Sequence, residues 1–449
     1  MKYTIFLVFL IQSLFGLSQV KDVDLLSNWA ASDIQGWYGD VAFNEVWGFV
    51  QGGQEYAVIG SANGTNIIKI NDDNSTERVQ FIDGRHHNAI HRHFHDYNGY
   101  LYEVCDQGRS TLRIHDLSYL PDSVHMVYDD SAFLARSHNI FIDSSSGLLY
   151  ACGVTYGSFD VPMRVLSLAN PEVPSLVYDY NFVDYVHDVF VRNDTAYINA
   201  GFEGMRVANF ANPSMPMPLG SLEFYLDKGY NHSGWLSEDG NTYVLCDETS
   251  GMRFKVLDVS DLSDIQVLSA AIPPTFEETL PHNVMYKDGL AYFSYYNDGL
   301  QIYDLEDPSN PIRVAYYDTY PDSEVLFRGA WGIYAFLPSG RLLVSDRKYG
   351  LFVLGYDGIP NLEDSDAQPA MFPNYVDNGF TYFYITQDVD REYVLRIYAN
   401  NGALVDELEG YGGYLRVEAS HYSNGLYLYK YFEKETGRIA GGKFIVNNP

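Results

Sequence analysis

Pro-His-Asn-Val-Met-Tyr-Lys-Asp-Gly-Leu-Ala-Tyr-Phe-Ser-Tyr-Tyr-Asn-Asp-Gly-Leu-Gln-Ile-Tyr-Asp-Leu-Glu-Asp-Pro-Ser-Asn-Pro, residues 281–311, decides the fold. A strand opens at His282, and Asp288-Gly289 turns it into a second strand over 290–295. Asn297-Asp298-Gly299 turns again into a third strand over 300–305, which Asp-Pro and Asn-Pro stop. Alternating side chains joined by Asp-Gly and Asn-Asp-Gly are a strong hairpin signal, so the unit is an antiparallel meander.

Read outward, the chain repeats this unit. The residue opening the first strand recurs at Trp47, His91, His138, His187, His232, His282 and Trp331, at intervals of 44 to 50 residues. The second strand recurs as Tyr56-Ala-Val-Ile, Leu101-Tyr-Glu-Val, Leu149-Tyr-Ala-Cys, Ala196-Tyr-Ile-Asn, Thr242-Tyr-Val-Leu, Ala291-Tyr-Phe-Ser and Leu342-Leu-Val-Ser. Four-stranded sheets at a period in the forties predict an all-β, seven-bladed β-propeller over 20–357, because one such sheet cannot bury both faces alone. The segment 23–29 precedes the first unit and is expected to supply the outer strand of the seventh sheet. Residues 358–370 read as an acidic, Pro-containing linker. Short strands with Gly-rich turns over 371–449 predict a small C-terminal Ig-like β-sandwich.

The totals narrow the function. Twenty-eight Lys and Arg against 59 Asp and Glu give a net charge of −31, which argues against nucleic acid and against an anionic membrane surface. Cys105, Cys152 and Cys246 fall in different repeats, too far apart for disulfides, and are expected to be buried, inert thiols. Lys2 followed by the apolar run 5–17 reads as a secretory signal peptide over 1–19, with maturation at Ser18 or Gln19. No other segment is apolar enough for a transmembrane helix, so the expected destination is the extracellular space or the outer-membrane surface, reached through the periplasm.

Two resemblances add to this. Residues 21 to about 357 resemble the choice-of-anchor B family of LVIVD repeats. The matching segments include Val46-Trp-Gly-Phe, Ser137-His-Asn-Ile, Val186-His-Asp-Val, Pro281-His-Asn-Val and Gly329-Ala-Trp-Gly-Ile-Tyr. That resemblance implies a secreted propeller whose relatives carry differing C-terminal sorting tags, and it implies no activity. His91 departs from it, standing where the aromatic of a Trp-Arg-Asp motif is expected. Phe372-Pro-Asn, Leu395-Arg-Ile-Tyr-Ala-Asn-Asn-Gly, Asn424-Gly-Leu-Tyr-Leu-Tyr-Lys and Gly442-Lys-Phe-Ile-Val resemble the C-terminal sorting domain of the Bacteroidetes type IX secretion system. The partner this implies is the type IX secretion machinery, an outer-membrane translocon that reads the domain.

The candidate site is the ring of strand-opening residues: Trp47, His91, His138, His187, His232, His282 and Trp331. First strands lie nearest the axis of a propeller, so these side chains should face the mouth of the central channel as a ligand-binding ring. The five imidazoles could hold a divalent metal such as Zn²⁺, Mn²⁺, Ni²⁺ or Cu²⁺, with Ca²⁺ a further option through oxygen donors. Asn139, Asp188 and Asn283 directly follow three of them and are placed to orient rings or add oxygens. The competing reading gives each histidine a structural hydrogen bond within its own blade. His86, His87, His91, His93 and His95 form a second cluster, in which 91, 93 and 95 alternate and share one strand face. The acidic pairs Asp72-Asp73, Asp129-Asp130, Asp247-Glu248 and Glu277-Glu278 read as solvated turns. No nucleophile elbow or phosphate loop occurs.

Two functions follow. One is a binding or display module for an extracellular glycan, peptide or protein. The other is a polysaccharide lyase, with channel-mouth histidines and Tyr230 or Tyr295 as base and acid, and Arg92 and Arg328 as the available cations.

Overall fold

Local turn chemistry builds each sheet. Asn283–Lys287 pairs antiparallel with Leu290–Ser294 from Asn283 opposite Ser294 to Lys287 opposite Leu290. The turn between them places Asp288 and Gly289 at φ of 53° and 78°, the left-handed pair that a tight hairpin requires. Leu300–Asp304 and Ile312–Tyr317 continue the meander. The computed structural model describes residues 20–356 and 370–448, apart from 32, 35, 37–40, 274–277, 323–326, 373–374, 377–378, 385–391, 401–402, 412–413 and 435–438. The signal peptide and nearly all of the linker lie outside the described residues.

Seven such sheets follow one another, with innermost strands Phe43–Gln51, Arg92–Tyr97, Asn139–Asp143, Asp188–Arg192, Asn231–Leu236, Asn283–Lys287 and Ala330–Tyr334. Each innermost strand touches that of the next sheet, and the seventh touches the first. The ring is closed. Second strands such as Thr242–Asp247 are buried along their whole length, whereas outer strands such as His125–Asp130 are largely exposed. Burial therefore falls from the axis outward, as it must when both faces of each sheet are covered by neighbours. Second-strand tyrosines Tyr56, Tyr102, Tyr150 and Tyr243 are fully buried there. Tyr102 donates its hydroxyl to the carbonyl of Pro171 in the next blade, 2.9 Å away.

The seventh sheet takes its outer strand from the start of the chain, as expected. Asp24–Trp29 pairs antiparallel with Gly350–Gly355, Asp24 opposite Gly355 and Trp29 opposite Leu351. In every blade the pairing of third and outer strand carries one register shift, and the clasp repeats it between Leu25 and Ser27. One extra residue at this point bends and twists the outer strand. The N-terminal segment is therefore a full outer strand with the same irregularity as the other six. Val20–Lys21 was not foreseen as a strand; it adds a fifth to the sixth sheet, against Ile312–Tyr317.

The C-terminal residues form a three-stranded sheet (Ala370–Phe372, Phe380–Tyr384, Tyr414–Glu418) and a five-stranded sheet that enclose a separate core around Tyr393, Leu395, Ile397 and Phe444. In the larger sheet Tyr375–Val376 runs parallel to Ile439–Val446. The strand Leu404–Tyr411 and the strand at 370–372 were not anticipated. Tyr382 reaches the sixth blade, donating its hydroxyl to Asp304 at 2.5 Å. All three cysteines are buried and free.

Candidate ligand site at the channel mouth

Five histidines and one tryptophan meet at one end of the axis. Successive ring centroids lie 5.3 Å apart for His91 and His138, 4.2 Å for His138 and His187, and 3.9 Å for His187 and His232. The circle continues through His232 and His282 at 4.4 Å and His282 and Trp331 at 4.0 Å, and closes by stacking Trp331 on His91 at 5.1 Å. These rings floor a cavity of about 520 Å³ that Ile90, Glu248, Tyr296, Arg328 and Arg347 help to line.

Trp47 is not part of this circle. It lies deeper in the channel, 4.4 Å from the ring of His95 and 4.9 Å from Tyr334, and its indole donates to Asp96 at 2.8 Å. The cause is register. Counting from the second-strand tyrosine, Trp47 lies opposite Val58, the place that Asn139 takes opposite Cys152 and Asp188 takes opposite Asn199. It is one residue further along the strand than the histidines. The first blade sends Glu45 under the circle instead.

The histidines are wired between blades rather than within their own. His187 Nδ1 lies 3.0 Å from the carbonyl of His232, and His282 Nδ1 lies 2.6 Å from that of Trp331. A carbonyl only accepts, so both Nδ1 atoms carry the proton and both Nε2 atoms keep a lone pair. Burial pushes His187, His232 and His282 well below the ordinary imidazole range, and takes His91 down to about 4 despite Asp106 beside it. These rings are neutral at pH 7. Two groups converge closely enough to share an ion: His91, Asp106 and His138, and His187, His232 and Glu248. His138 Nδ1 lies 2.8 Å from Asp106, while His232 Nε2 lies 3.7 Å from Glu248. Burial raises Glu248 above the usual carboxylate range, and Tyr296 donates its hydroxyl to it.

The alternating trio of the second cluster does not converge. His91 belongs to the mouth circle, His93 lies beneath it, and His95 sits at the lower end against Trp47 and Phe141, 5.3 Å from the latter. Residues two apart on a strand are about 6.6 Å apart, so one face does not mean one ion. His87 pairs with Asp83 at the surface, and His86 packs under Gly108. Arg92 is also away from the mouth; it is buried on Glu103 at 3.3 Å and on the carbonyls of Ser61 and His86. Tyr295 is buried between blades, and its neighbour Tyr296 takes the mouth position. Tyr230 is at the mouth, edge-on to His187 at 5.4 Å. Asp247-Glu248 is no solvated turn: Asp247 is fully buried on Lys255 at 2.8 Å. Glu277 lies outside the described residues.

Asp106, Glu248, Tyr296 and Arg347 were missed as a set. Each follows within two residues of the end of a second strand. Antiparallel pairing brings that end beside the start of the first strand, so these positions and the histidines share the mouth.

No family model matches the sequence, and no curated protein matches it. Solved structures do. PorZ, described as an essential surface component of the type-IX secretion system of Porphyromonas gingivalis, is 12% identical with a TM-score of 0.51, over 93% of this chain and 61% of that one. This chain therefore spans about three-fifths of PorZ. The periplasmic gluconolactonase PpgL of Pseudomonas aeruginosa is 11% identical with a TM-score of 0.52, over 84% of this chain and 99% of its own. The WD40 repeats of RRP9 give 11% and 0.52 over 76% of this chain. The fold is a seven-bladed propeller. At these identities the likeness carries the fold and no activity.

Proposed function

We propose that the propeller is a secreted or cell-surface interaction module that binds an acidic extracellular ligand, a glycan or a peptide, at the histidine-floored mouth with the help of a divalent metal. The carrying observation is the circle of five imidazoles closed by Trp331, with the Nε2 lone pairs left available at His187 and His282. Nitrogen donors next to Glu248 or Asp106 suit Zn²⁺, Mn²⁺, Ni²⁺ or Cu²⁺. Arg347 lies over Trp331 at 4.3 Å with a buried Nε that has no partner, a donor placed for an anionic group.

The surroundings support a docking face. Phe202 is 77% exposed and packs on Tyr230, which in turn touches His187. Phe224, 87% exposed, is tied to the same patch by Lys228, which caps the carbonyls of Phe202 and Glu223. Aromatic faces leading to a polar pocket are the usual make-up of a recognition surface. Elemental analysis of the purified chain tests the metal: near one ion per chain is expected, and loss of it in His187→Ala plus His282→Ala. An array of acidic glycans and peptides tests the ligand, with Arg347→Ala and Phe202→Ala expected to weaken each hit at least tenfold. No metal and no hit would end this reading.

A lyase reading keeps one supporting observation. Tyr230, raised to about 12 by burial, stays protonated beside the neutral His187, an acid next to a base. Unsaturated products absorbing in the ultraviolet on acidic polysaccharides are its test, and none on any of them rejects it.

We also propose that residues 1–19 direct export and that 371–449 are the sorting domain of the type IX machinery, folded as an Ig-like sandwich. The motif pieces support this, and PorZ is compatible with it. Truncation after residue 370 should leave the propeller in the periplasm; surface display of the truncated chain would refute the assignment.

A further inference from the structure

Beneath the imidazoles the channel changes its chemistry. Glu45, Asn139, Asp188 and Asn283, from four different blades, line the space just below the circle. We propose that this tier is a second, separate site for a hard, oxygen-seeking divalent cation of the Ca²⁺ class.

The argument starts from the hydrogen bonds. Glu45 accepts from the backbone of Val46 at 3.1 Å, from Asn283 Nδ2 at 3.1 Å and from the Trp331 side chain. Asp188 Oδ1 accepts from the backbone of Val189 at 2.7 Å and from Asn139 Nδ2 at 2.6 Å. Burial still pushes Glu45 up to about 8 and Asp188 to about 7, because these N–H donors only partly replace the lost water. Both asparagines spend their amide protons on these carboxylates, which turns their oxygens elsewhere. Asn139 is 8% exposed, lines the channel space, and its Oδ1 has no hydrogen-bond partner. Asp188 Oδ2 likewise takes no hydrogen bond from a described residue. Asp188 lines the same space.

Charge sets the valence. A divalent cation between them would balance the two carboxylates in their ionised form. Arg92 also borders this tier, but its guanidinium is held by Glu103 and by two carbonyls. His93 does not help: its Nδ1 accepts from the backbone of Ile140 at 3.4 Å, so its Nε2 carries a proton and points an N–H. What remains is two carboxylates and two amide oxygens, a donor set for Ca²⁺ rather than for the nitrogen-loving ions above. The cavity here is about 50 Å³, room for one ion with bound water.

The test uses the full mature chain stripped with chelator and titrated with CaCl₂. One Ca²⁺ per chain is expected by calorimetry, with a melting temperature that climbs as Ca²⁺ rises to about 10 mM, some tenfold above the weakest affinities, about 1 mM, of extracellular modules. Glu45→Gln plus Asp188→Asn keeps size and removes both charges; it should lose the thermal response and weaken binding at least 100-fold. Should that pair fail to fold, Asn139→Ala, which removes the unpartnered oxygen, should weaken binding about tenfold. His187→Ala plus His282→Ala should leave the Ca²⁺ response unchanged, which separates this site from the metal proposed at the mouth. No Ca²⁺ response in the wild type, or an equal response after the carboxylate substitutions, overturns the proposal.

Discussion

The two ends of the channel are built from the same strands and do opposite things. At the mouth the blades present imidazoles with free lone pairs; three residues further along they present Phe141, Phe190 and Trp235, which with Phe336, just past the seventh innermost strand, pack on one another as a plug. Trp235 stacks on Phe336 at 5.3 Å and touches Phe190 at 4.7 Å. The upper end trades packing for chemistry, and the lower end supplies the packing. A cavity open at one face and stoppered at the other is a pocket, not a pore.

Substitutions at the two ends should break that contrast in order of size. Trp235→Ala empties the plug and should cost about 3–5 kcal/mol in denaturant unfolding; a loss under about 1 kcal/mol would mean the lower end is not closed by packing. His187→Ala plus His282→Ala removes two blade-to-blade hydrogen bonds worth about 1 kcal/mol each, so the metal-free variant should lose about 2 kcal/mol while losing all metal. Trp47→Phe keeps an aromatic ring but drops the bond to Asp96 and part of the packing, for about 1.5 kcal/mol with no effect on metal content.

Acid should also tell the mouth from the interior of a blade. His91 has a folded pKa of about 4, below its unfolded value of about 6.5. Its stabilising contribution is therefore complete above pH 6.5 and falls as pH drops from there toward 4, by up to about 1.4 kcal/mol per unit. Glu103 behaves differently. Burial alone would raise it, but His115, Arg113 and Arg92 hold it at about 2, so its contribution persists to lower pH and fades only between about 4.3 and 2. A stability profile over pH 7 to 4 should become shallower in His91→Gln by up to one proton's share, His187, His232 and His282 keeping theirs, and should keep its slope in Glu103→Gln; the reverse would reassign the acid sensitivity to the buried Glu103 cluster.

The repeat, the seven sheets and the clasp were legible because hairpin turns and strand alternation are local signals. Five of the seven predicted ring members came together for the same reason, each opening a strand whose register the repeat sets, and Trp331 made a sixth. Trp47 failed by one residue: it pairs opposite Val58, the place of Asn139 and Asp188 in their blades, although Val46-Trp47 aligns in sequence with Val186-His187. Tyr295 failed by parity, its neighbour Tyr296 turning to the mouth instead. Arg92 was misplaced because its partner Glu103 lies on the next strand, and a lone arginine does not declare whether it serves a ligand or a buried carboxylate. Asp106, Glu248 and Arg347 were readable in principle, had the ends of second strands been aligned as carefully as the starts of first ones.

The clasp has a kinetic consequence. Asp24 pairs with Gly355, so a strand that emerges from the ribosome first waits on a partner made more than 300 residues later. A growing chain can assemble its middle blades while that early strand hangs unpaired. The final cooperative step comes only after residue 355 has been made. Until then the outer edge of the seventh sheet remains open to association with other chains, and ring closure is the step at which the propeller becomes resistant to both aggregation and proteolysis.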